Sequence, residues 1–172
     1  WFGLSGGLAV ASASGYRNDV AEIGLPEFHT STGLGVSGAG GAWLGGSLAD
    51  WLSVGVGFQS IGFEGNGLQA SGFGLDIRVE TFPLFYRGGP FRDLGLSLLA
   101  GTGSISVERA GAKVAEGEAT SLVGIGAFFE PWRFWQFATG PDISYQHQFS
   151  RSGGERGEER LVFGAPFARE IL

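Results

Sequence analysis

The sequence predicts an all-β fold, an eight-stranded antiparallel up-and-down transmembrane barrel that forms one domain over residues 1–172. Three observations favour this fold. Bulky apolar residues alternate with small ones at a period of two through most of the chain, as they do in β-strands. Charged residues are 16% of the chain and 33 residues are Gly, which is little charge for the surface of a soluble domain. The apolar bands span roughly 9 to 11 residues, the length that a tilted strand needs to cross the hydrocarbon layer.

The first four predicted strands carry their bulky apolar residues on one face and mostly Gly, Ala and Ser on the other. Those apolar residues are Phe2, Leu4, Leu8 and Val10 in the first strand; Leu34, Val36, Ala42 and Leu44 in the second (about 31–44); Leu52, Val54, Val56 and Phe58 in the third (about 51–62); and Phe73, Leu75, Ile77 and Val79 in the fourth (about 68–82).

The last four predicted strands follow the same pattern. Their apolar residues are Leu94, Leu96, Leu98 and Ala100 in the fifth strand (about 94–107); Val123, Ile125, Ala127 and Phe129 in the sixth (about 118–130); Phe137, Ile143 and Tyr145 in the seventh (about 135–150); and Leu161, Phe163, Ala165 and Phe167 in the eighth (about 160–169).

The connectors alternate in character along the chain. Polar connectors are predicted at 15–30, 64–67, 108–118 and 151–159, and aromatic connectors at 45–51, 83–93 and 131–135. Up-and-down threading puts the polar set at one end of the barrel and the aromatic set, with both termini, at the other. The aromatic end is the predicted interfacial belt, made of Trp1, Trp43, Trp51, Phe82, Phe85, Tyr86, Phe91, Trp132, Phe134 and Trp135.

The charges within strands indicate which face is the lumen. Asp76, Arg78, Glu80 and Asp142 all fall on the small-residue face, and Glu130 follows at the end of a strand. Small residues suit the narrow interior of an eight-stranded barrel, with room for a few large side chains such as Trp43, Arg78 and Phe128. The apolar face must then meet lipid, which a closed barrel permits because no sheet edge is left unpaired.

We expect the five lumen charges to form a structural ion-pair network, because charges in a confined lumen must be paired or hydrated. A conductive or gated path through the lumen is the alternative, since such clusters serve both purposes.

This pattern of eight alternating segments, with "PWRFW"-like aromatic turns at one end and longer polar loops at the other, resembles the small outer-membrane barrels of Gram-negative bacteria, of OmpA-like, OmpX-like and OmpW-like architecture. The resemblance implies a multi-pass protein of the bacterial outer membrane, with the polar loops extracellular and the aromatic turns periplasmic. Such barrels usually end on a terminal aromatic residue. Here Gly164 and Phe167 are followed by Arg169, Glu170 and a final Leu172, so we expect that the natural chain can continue further. Because the chain begins at Trp1 without a leader, we expect it to be processed or trimmed.

Three patterns in the sequence suggest catalysis or ligand binding, but each lacks a feature that the chemistry needs. "GLSGG" (3–7) matches a nucleophile elbow but places Ser5 within a strand, without the helix that this motif needs. "GLGVSG" (33–38) lacks the helix that a dinucleotide phosphate requires. His29 and His147 stand without a cluster of ligand-type residues, so no metal site is expected.

A second enzymatic alternative rests on a resemblance to PagL-type lipid A deacylases, which place a His and a Ser two residues apart near the extracellular rim, with a Glu on the next strand. Here the position two residues after His147 is Phe149, and Ser150 has the opposite parity. Glu158 or Glu159 would supply the acid. A nucleophile on the opposite face from its base is not activated by it.

The function predicted from the sequence is a non-enzymatic membrane anchor or interaction module, which can be a subunit of a larger envelope complex. Its expected partners are membrane lipid and lipopolysaccharide, and proteins bound through loops 15–30, 108–118 and 151–159 or through the outer face. A net charge of −6 argues against nucleic acid. With no cysteine in the chain, cysteine chemistry is excluded, and no cofactor is expected. A lipid A-modifying hydrolase and a narrow channel are the alternatives.

Overall fold

The computed structural model describes residues 1–16, 22, 25–135, 137–152 and 155–170, with their side chains except at 118–119 and from 150 onward. Eight long strands confirm the predicted number: β1 (Phe2–Ser12), β2 (Gly35–Ala49), β3 (Leu52–Gly65), β4 (Leu68–Thr81), β5 (Leu94–Arg109), β6 (Ala112–Phe129), β7 (Phe137–Ser152) and β8 (Glu155–Glu170). Short strands Ser14–Gly15 and Thr30–Ser31 pair with each other, Trp132–Phe134 pairs with β7, and Pro26–Phe28 and Phe85–Arg87 are single 3₁₀ turns. Within this described part, no helix has the length and hydrophobicity needed to span a membrane.

The strands close into an antiparallel barrel, because β8 pairs with both β7 and β1. Successive cross-strand partners lead from Phe2 through Leu44, Val56, Ile77, Ala100, Val123 and His147 to Arg160 on β8. Phe2 itself pairs with Glu170, ten residues (170 minus 160) further along β8. This stagger tilts the strands to the barrel axis, as closure of an eight-stranded sheet requires.

We call the part of the barrel toward the aromatic end the lower part. There the bulky apolar residues face outward and the lumen lies on the other face, as the sequence predicts. Leu44, Ile77 and Leu98 are each about 60% exposed on the outer surface, whereas Trp43 and Phe128 are buried in the lumen. The side chains of the predicted outward residues of the eighth strand, 161–167, lie outside the described part.

Two of the predicted polar loops are wrong. Segment 108–118 is a hairpin in which β5 runs to Arg109 and β6 begins at Ala112, and segment 151–159 is largely strand, with β7 ending at Ser152 and β8 beginning at Glu155. The β5–β6 turn is made by Ala110 and Gly111, both with positive φ, as a two-residue hairpin turn requires. The polar residues of both segments predict loops, although the strands continue there.

The outward face of β3, β4 and β5 changes from apolar to polar along each strand, which explains why strand residues of segment 108–118 are polar. The outward residues nearer the aromatic end are apolar, and those nearer the polar end are mostly polar. From the aromatic end upward they are Val54, Val56, Phe58, Ser60, Gly62 and Glu64 on β3; Val79, Ile77, Leu75, Phe73, Ser71 and Gln69 on β4; and Leu96, Leu98, Ala100, Thr102, Ser104 and Ser106 on β5.

The lumen changes in the opposite sense. Its charged and small residues lie toward the aromatic end, and its upper part is a buried apolar cluster of Ala9, Ala11, Ala13, Ile61, Phe63, Leu68, Ala70, Ile105, Val107 and Ala115. The lower barrel therefore has the surface of a membrane protein. The upper part, which we call the collar, has an apolar interior and a polar wall on β3–β5, as a soluble β-sheet has.

This inversion predicts where lipid contact ends on β3 and β4. The chain has no cysteine, so Phe58→Cys, Ser60→Cys, Leu75→Cys and Ser71→Cys each introduce a unique thiol. In lipid vesicles, a hydrophilic maleimide is expected to modify the cysteines at 60 and 71 and to leave those at 58 and 75 largely unmodified, because thiolates do not form in hydrocarbon. Equal modification at 58 and 60, with all four variants folded, would contradict this boundary.

Candidate functional site

A charged cluster centred on Arg78 occupies the lower lumen. Arg78 Nε donates to Glu80 Oε1 at 2.8 Å, and Arg78 Nη2 lies 3.6 Å from Asp142 Oδ2. The Arg78 guanidinium carbon also lies 4.3 Å from the ring centroid of Trp43, a distance typical of a cation–π contact. One Arg thus joins strands β4 and β7 across the lumen.

The other two predicted lumen charges have different surroundings. Asp76 is buried one inward position above Arg78 and accepts a hydrogen bond of 2.9 Å from Gln59 Nε2 on β3. Glu130 is buried beyond the end of β6, where its backbone N–H donates to the Asp93 carbonyl at 3.1 Å. The structure therefore groups Arg78 with Glu80 and Asp142, places Asp76 beside them, and places Glu130 beyond the end of β6.

Two aromatic rings fill the lower lumen, each lying against a glycine on the neighbouring strand. A Cβ at Gly3 would lie 2.2 Å from Trp43 Cε2, and one at Gly95 would lie 2.1 Å from Phe128 Cζ. Both glycines face these aromatic residues directly in the strand register, so only glycine leaves space for the rings. The sequence suggested both the lumen and the interfacial belt for Trp43. The belt assignment is wrong, because the inward position of Trp43 on β2 places the indole over Arg78.

Polar amides separate the charged cluster from the apolar collar interior. Gln146 and Gln148 are buried on β7, and Gln148 Nε2 is hydrogen-bonded to Thr120 Oγ1 on β6. Their parity on β7 placed them on the lumen face in the sequence. Nothing in the sequence pattern identified Thr120 as the partner, because that contact depends on the register between two strands.

The free space beside the charges is small. A cavity of about 50 Å³ is bordered by Gln59, Asp76, Arg78, Asp142 and Gln146. That volume suits a few water molecules and is well below the several hundred Å³ of ordinary ligand pockets. With rings below and the apolar cluster above, the lumen favours a structural role for the charges over a continuous aqueous path.

His147 lies on the outer face of β7, where its ring stacks at 5.6 Å on that of Phe149. Ser150 has the parity of the inward Gln148, and its side chain, like those of Glu158 and Glu159, lies outside the described part. Among the described residues, no group of three or more His, Asp or Glu side chains is arranged to hold a metal.

The other nine predicted belt residues lie at or beyond the aromatic ends of the strands. Tyr86, Phe91, Trp132, Phe134 and Trp135 are exposed, Trp51 is just over one-third exposed, and Trp1, Phe82 and Phe85 are half-buried. The Phe82 ring also meets the lumen-filling Phe128 ring edge-on at 5.4 Å. We call this end the aromatic rim; Phe82 extends it to the floor of the lumen.

At the opposite end, Thr32 anchors the chain that follows the first polar loop to β1 and its continuation. Thr32 is fully buried; its Oγ1 accepts from the Ala13 N–H at 2.9 Å and donates to the carbonyl oxygen of Ala13 or Gly33. The β3–β4 turn next to it is made by Asn66 and Gly67, both with positive φ. Residues 17–21, 23 and 24 of the predicted loop 15–30 lie outside the described part. We call this end, with the described residues of that loop and the hairpin tips, the loop rim.

Comparisons with known proteins identify the fold. No family model matches the sequence, and no curated protein matches it significantly. Among solved structures, Neisserial surface protein A (NspA) aligns with a TM-score of 0.58 and 10% identity over 99% of this chain and 97% of its own. Ail, the attachment invasion locus protein of Yersinia pestis, aligns with a TM-score of 0.52 and 14% identity over 98% and 97%. The outer membrane protein OprG from Pseudomonas aeruginosa aligns with a TM-score of 0.47 and 10% identity over 99% and 96%.

The chain therefore has the fold of the small eight-stranded outer-membrane barrels. Its own outer surface agrees with that fold, because the lower outward residues of β3–β5 are uncharged and apolar, which only lipid accommodates around a closed barrel. The fold and this surface together indicate a barrel that crosses a membrane with its strands.

Proposed function

We propose that this outer-membrane barrel is a non-enzymatic anchor that presents an interaction surface at its loop rim, with loop 15–30 and the β3–β4 and β5–β6 hairpin tips as the contact surface. The observation that carries the proposal is the collar. Its polar wall is suited to water, and its packed apolar interior holds the hairpins above the lipid. The small cavity and the paired charges of the lumen support a structural role for the lower barrel.

The hairpin tips are suited to contact because they are short and exposed. Glu64, Arg109 and Lys113 are exposed there, and Lys113 Nζ lies 2.5 Å from Glu116 Oε1. Two-residue turns hold these side chains with little loss of conformational freedom on binding. In the outer membrane the loop rim would face the exterior, where lipopolysaccharide and proteins are the available partners.

Site-specific photo-crosslinking in intact cells tests this proposal. A benzophenone amino acid at Asn66 or Arg109 is expected to give discrete protein adducts, because both positions lie at hairpin tips. The matched control is Leu98, an outward residue of β5 within the lipid-facing band, which should give no discrete protein adduct. Adducts at Leu98 with none at the tips would contradict a contact surface at the loop rim.

The non-enzymatic part of the proposal has its own test. Lipopolysaccharide incubated with the purified barrel, and with a His147→Ala variant, is expected to keep the same acyl content in both samples. Loss of acyl chains with the original protein but not with the variant would instead support the hydrolase alternative.

A further inference from the structure

The connection between β4 and β5 is much longer than a hairpin needs. Residues 82–93 join the two strands, and the connection contains the 3₁₀ turn Phe85–Arg87, whereas two residues suffice for a hairpin. It is nevertheless ordered by its own backbone: Arg87 N–H donates to Leu84 O at 3.0 Å, and Arg92 N–H to Gly89 O at 3.3 Å. The connection is a folded part of the aromatic rim.

Its charges leave a local excess of positive charge. The connection contains Arg87, Arg92 and Asp93, but Asp93 Oδ1 lies 2.5 Å from Arg133 Nη2 of the neighbouring turn. Among the described residues, neither Arg87 nor Arg92 forms a salt bridge, and both are exposed. Among the residues whose side chains the structure describes, Asp50 on the β2–β3 turn is the exposed acid of this rim.

Aromatic residues flank the two arginines in the sequence, and one of them contacts Arg92. The Arg92 guanidinium carbon lies 4.5 Å from the ring centroid of Phe85, which orients the guanidinium by a cation–π contact. Tyr86 is 79% exposed and Phe91 is 61% exposed. Exposed aromatic rings are favoured at the headgroup level of a membrane, so the arginines beside them lie at the level of lipid phosphates.

We propose that Arg87 and Arg92 form a binding site for the headgroup of an anionic phospholipid, in the membrane leaflet that surrounds the aromatic rim. A guanidinium matches phosphate through two parallel N–H donors. A membrane lipid is the source of this phosphate because the connection continues from β4 and β5, whose outward Val79 and Leu96 belong to the lipid-facing band. This proposal does not depend on the contact surface proposed at the loop rim.

Native mass spectrometry of the full chain tests the site. The barrel is released from mixed micelles that contain equal amounts of phosphatidylglycerol and phosphatidylcholine, and the lipids retained are counted. The wild type is expected to retain phosphatidylglycerol preferentially. Arg87→Gln and Arg92→Gln are each expected to reduce that preference about fivefold, and retention of phosphatidylcholine should be unchanged.

The matched control is the double variant Asp93→Asn, Arg133→Gln, because it removes an arginine of the same rim together with the carboxylate that pairs with it. It should retain phosphatidylglycerol as the wild type does. Folding of each variant is checked by its heat-dependent mobility on a gel. Equal retention of the two lipids by the wild type, an unchanged preference in both Arg87→Gln and Arg92→Gln, or an equal loss in the double variant would overturn the proposal.

Discussion

Replacing Arg78 with Met is expected to lower the free energy of unfolding of the barrel by about 3 to 5 kcal/mol. The Glu80 side chain is 2% exposed and that of Asp142 is 16% exposed, so both carboxylates would lose their shared cation in a confined space. Met keeps much of the length of Arg without the charge, so packing is largely retained. Urea titration in lipid vesicles, followed by tryptophan fluorescence, measures the loss.

The control is to remove the carboxylate charges as well. The triple variant Arg78→Met, Glu80→Gln, Asp142→Asn should recover most of the stability, because no uncompensated charge is left among these three positions. Glu80→Gln alone should cost less than Arg78→Met, since Arg78 keeps Asp142 as a partner. If Arg78→Met and the triple variant were equally destabilised, packing of the arginine stem rather than charge pairing would be its main contribution.

Placing Lys at Ile77 is expected to destabilise the barrel by about 2 to 4 kcal/mol. Ile77 is 60% exposed on the outer face of β4, with apolar outward residues on either side of it along the strand. A charge there would lie in the hydrocarbon. The same titration in lipid vesicles measures the effect as a shift in the urea midpoint.

Ser71→Lys is the matched control on the same strand and the same face. Ser71 lies above Phe73 in the polar wall of the collar, so its Lys should cost only about 0 to 1 kcal/mol. The contrast between the two sites isolates height in the membrane, because strand, face and introduced charge are identical. Equal costs at 71 and 77 would mean that both residues meet the same solvent, contrary to the inverted polarity of β4.

The strand number and the lumen-facing charges were predictable from the sequence. Alternation is local, so Arg78 and its neighbour Ile77 face opposite sides of the sheet, whichever strands pair with β4. The pairing of Arg78 with Asp142 was not predictable in detail. It joins strands that are far apart in the chain and depends on the register of the closed barrel.

The wrong assignments of Trp43 and of segments 108–118 and 151–159 all rest on local patterns. Its position near a turn groups Trp43 with the other aromatic residues, although its neighbour Leu44 is the outward residue and Gly3 opposite leaves space for the indole. The polar residues of segments 108–118 and 151–159 predict loops. A local pattern cannot distinguish a polar loop from a strand whose outer face has left the membrane.

The sequence by itself determined that the chain forms eight alternating strands with a small-residue lumen, because the period of two sets which side chains share a face. Only the tertiary structure decided which outward residues lie in the apolar band and which lie in the collar. That depends on height along the barrel axis, which is set by strand tilt and the ten-residue stagger of closure. Each is a property of the whole ring of strands, so neither is contained in any one of them.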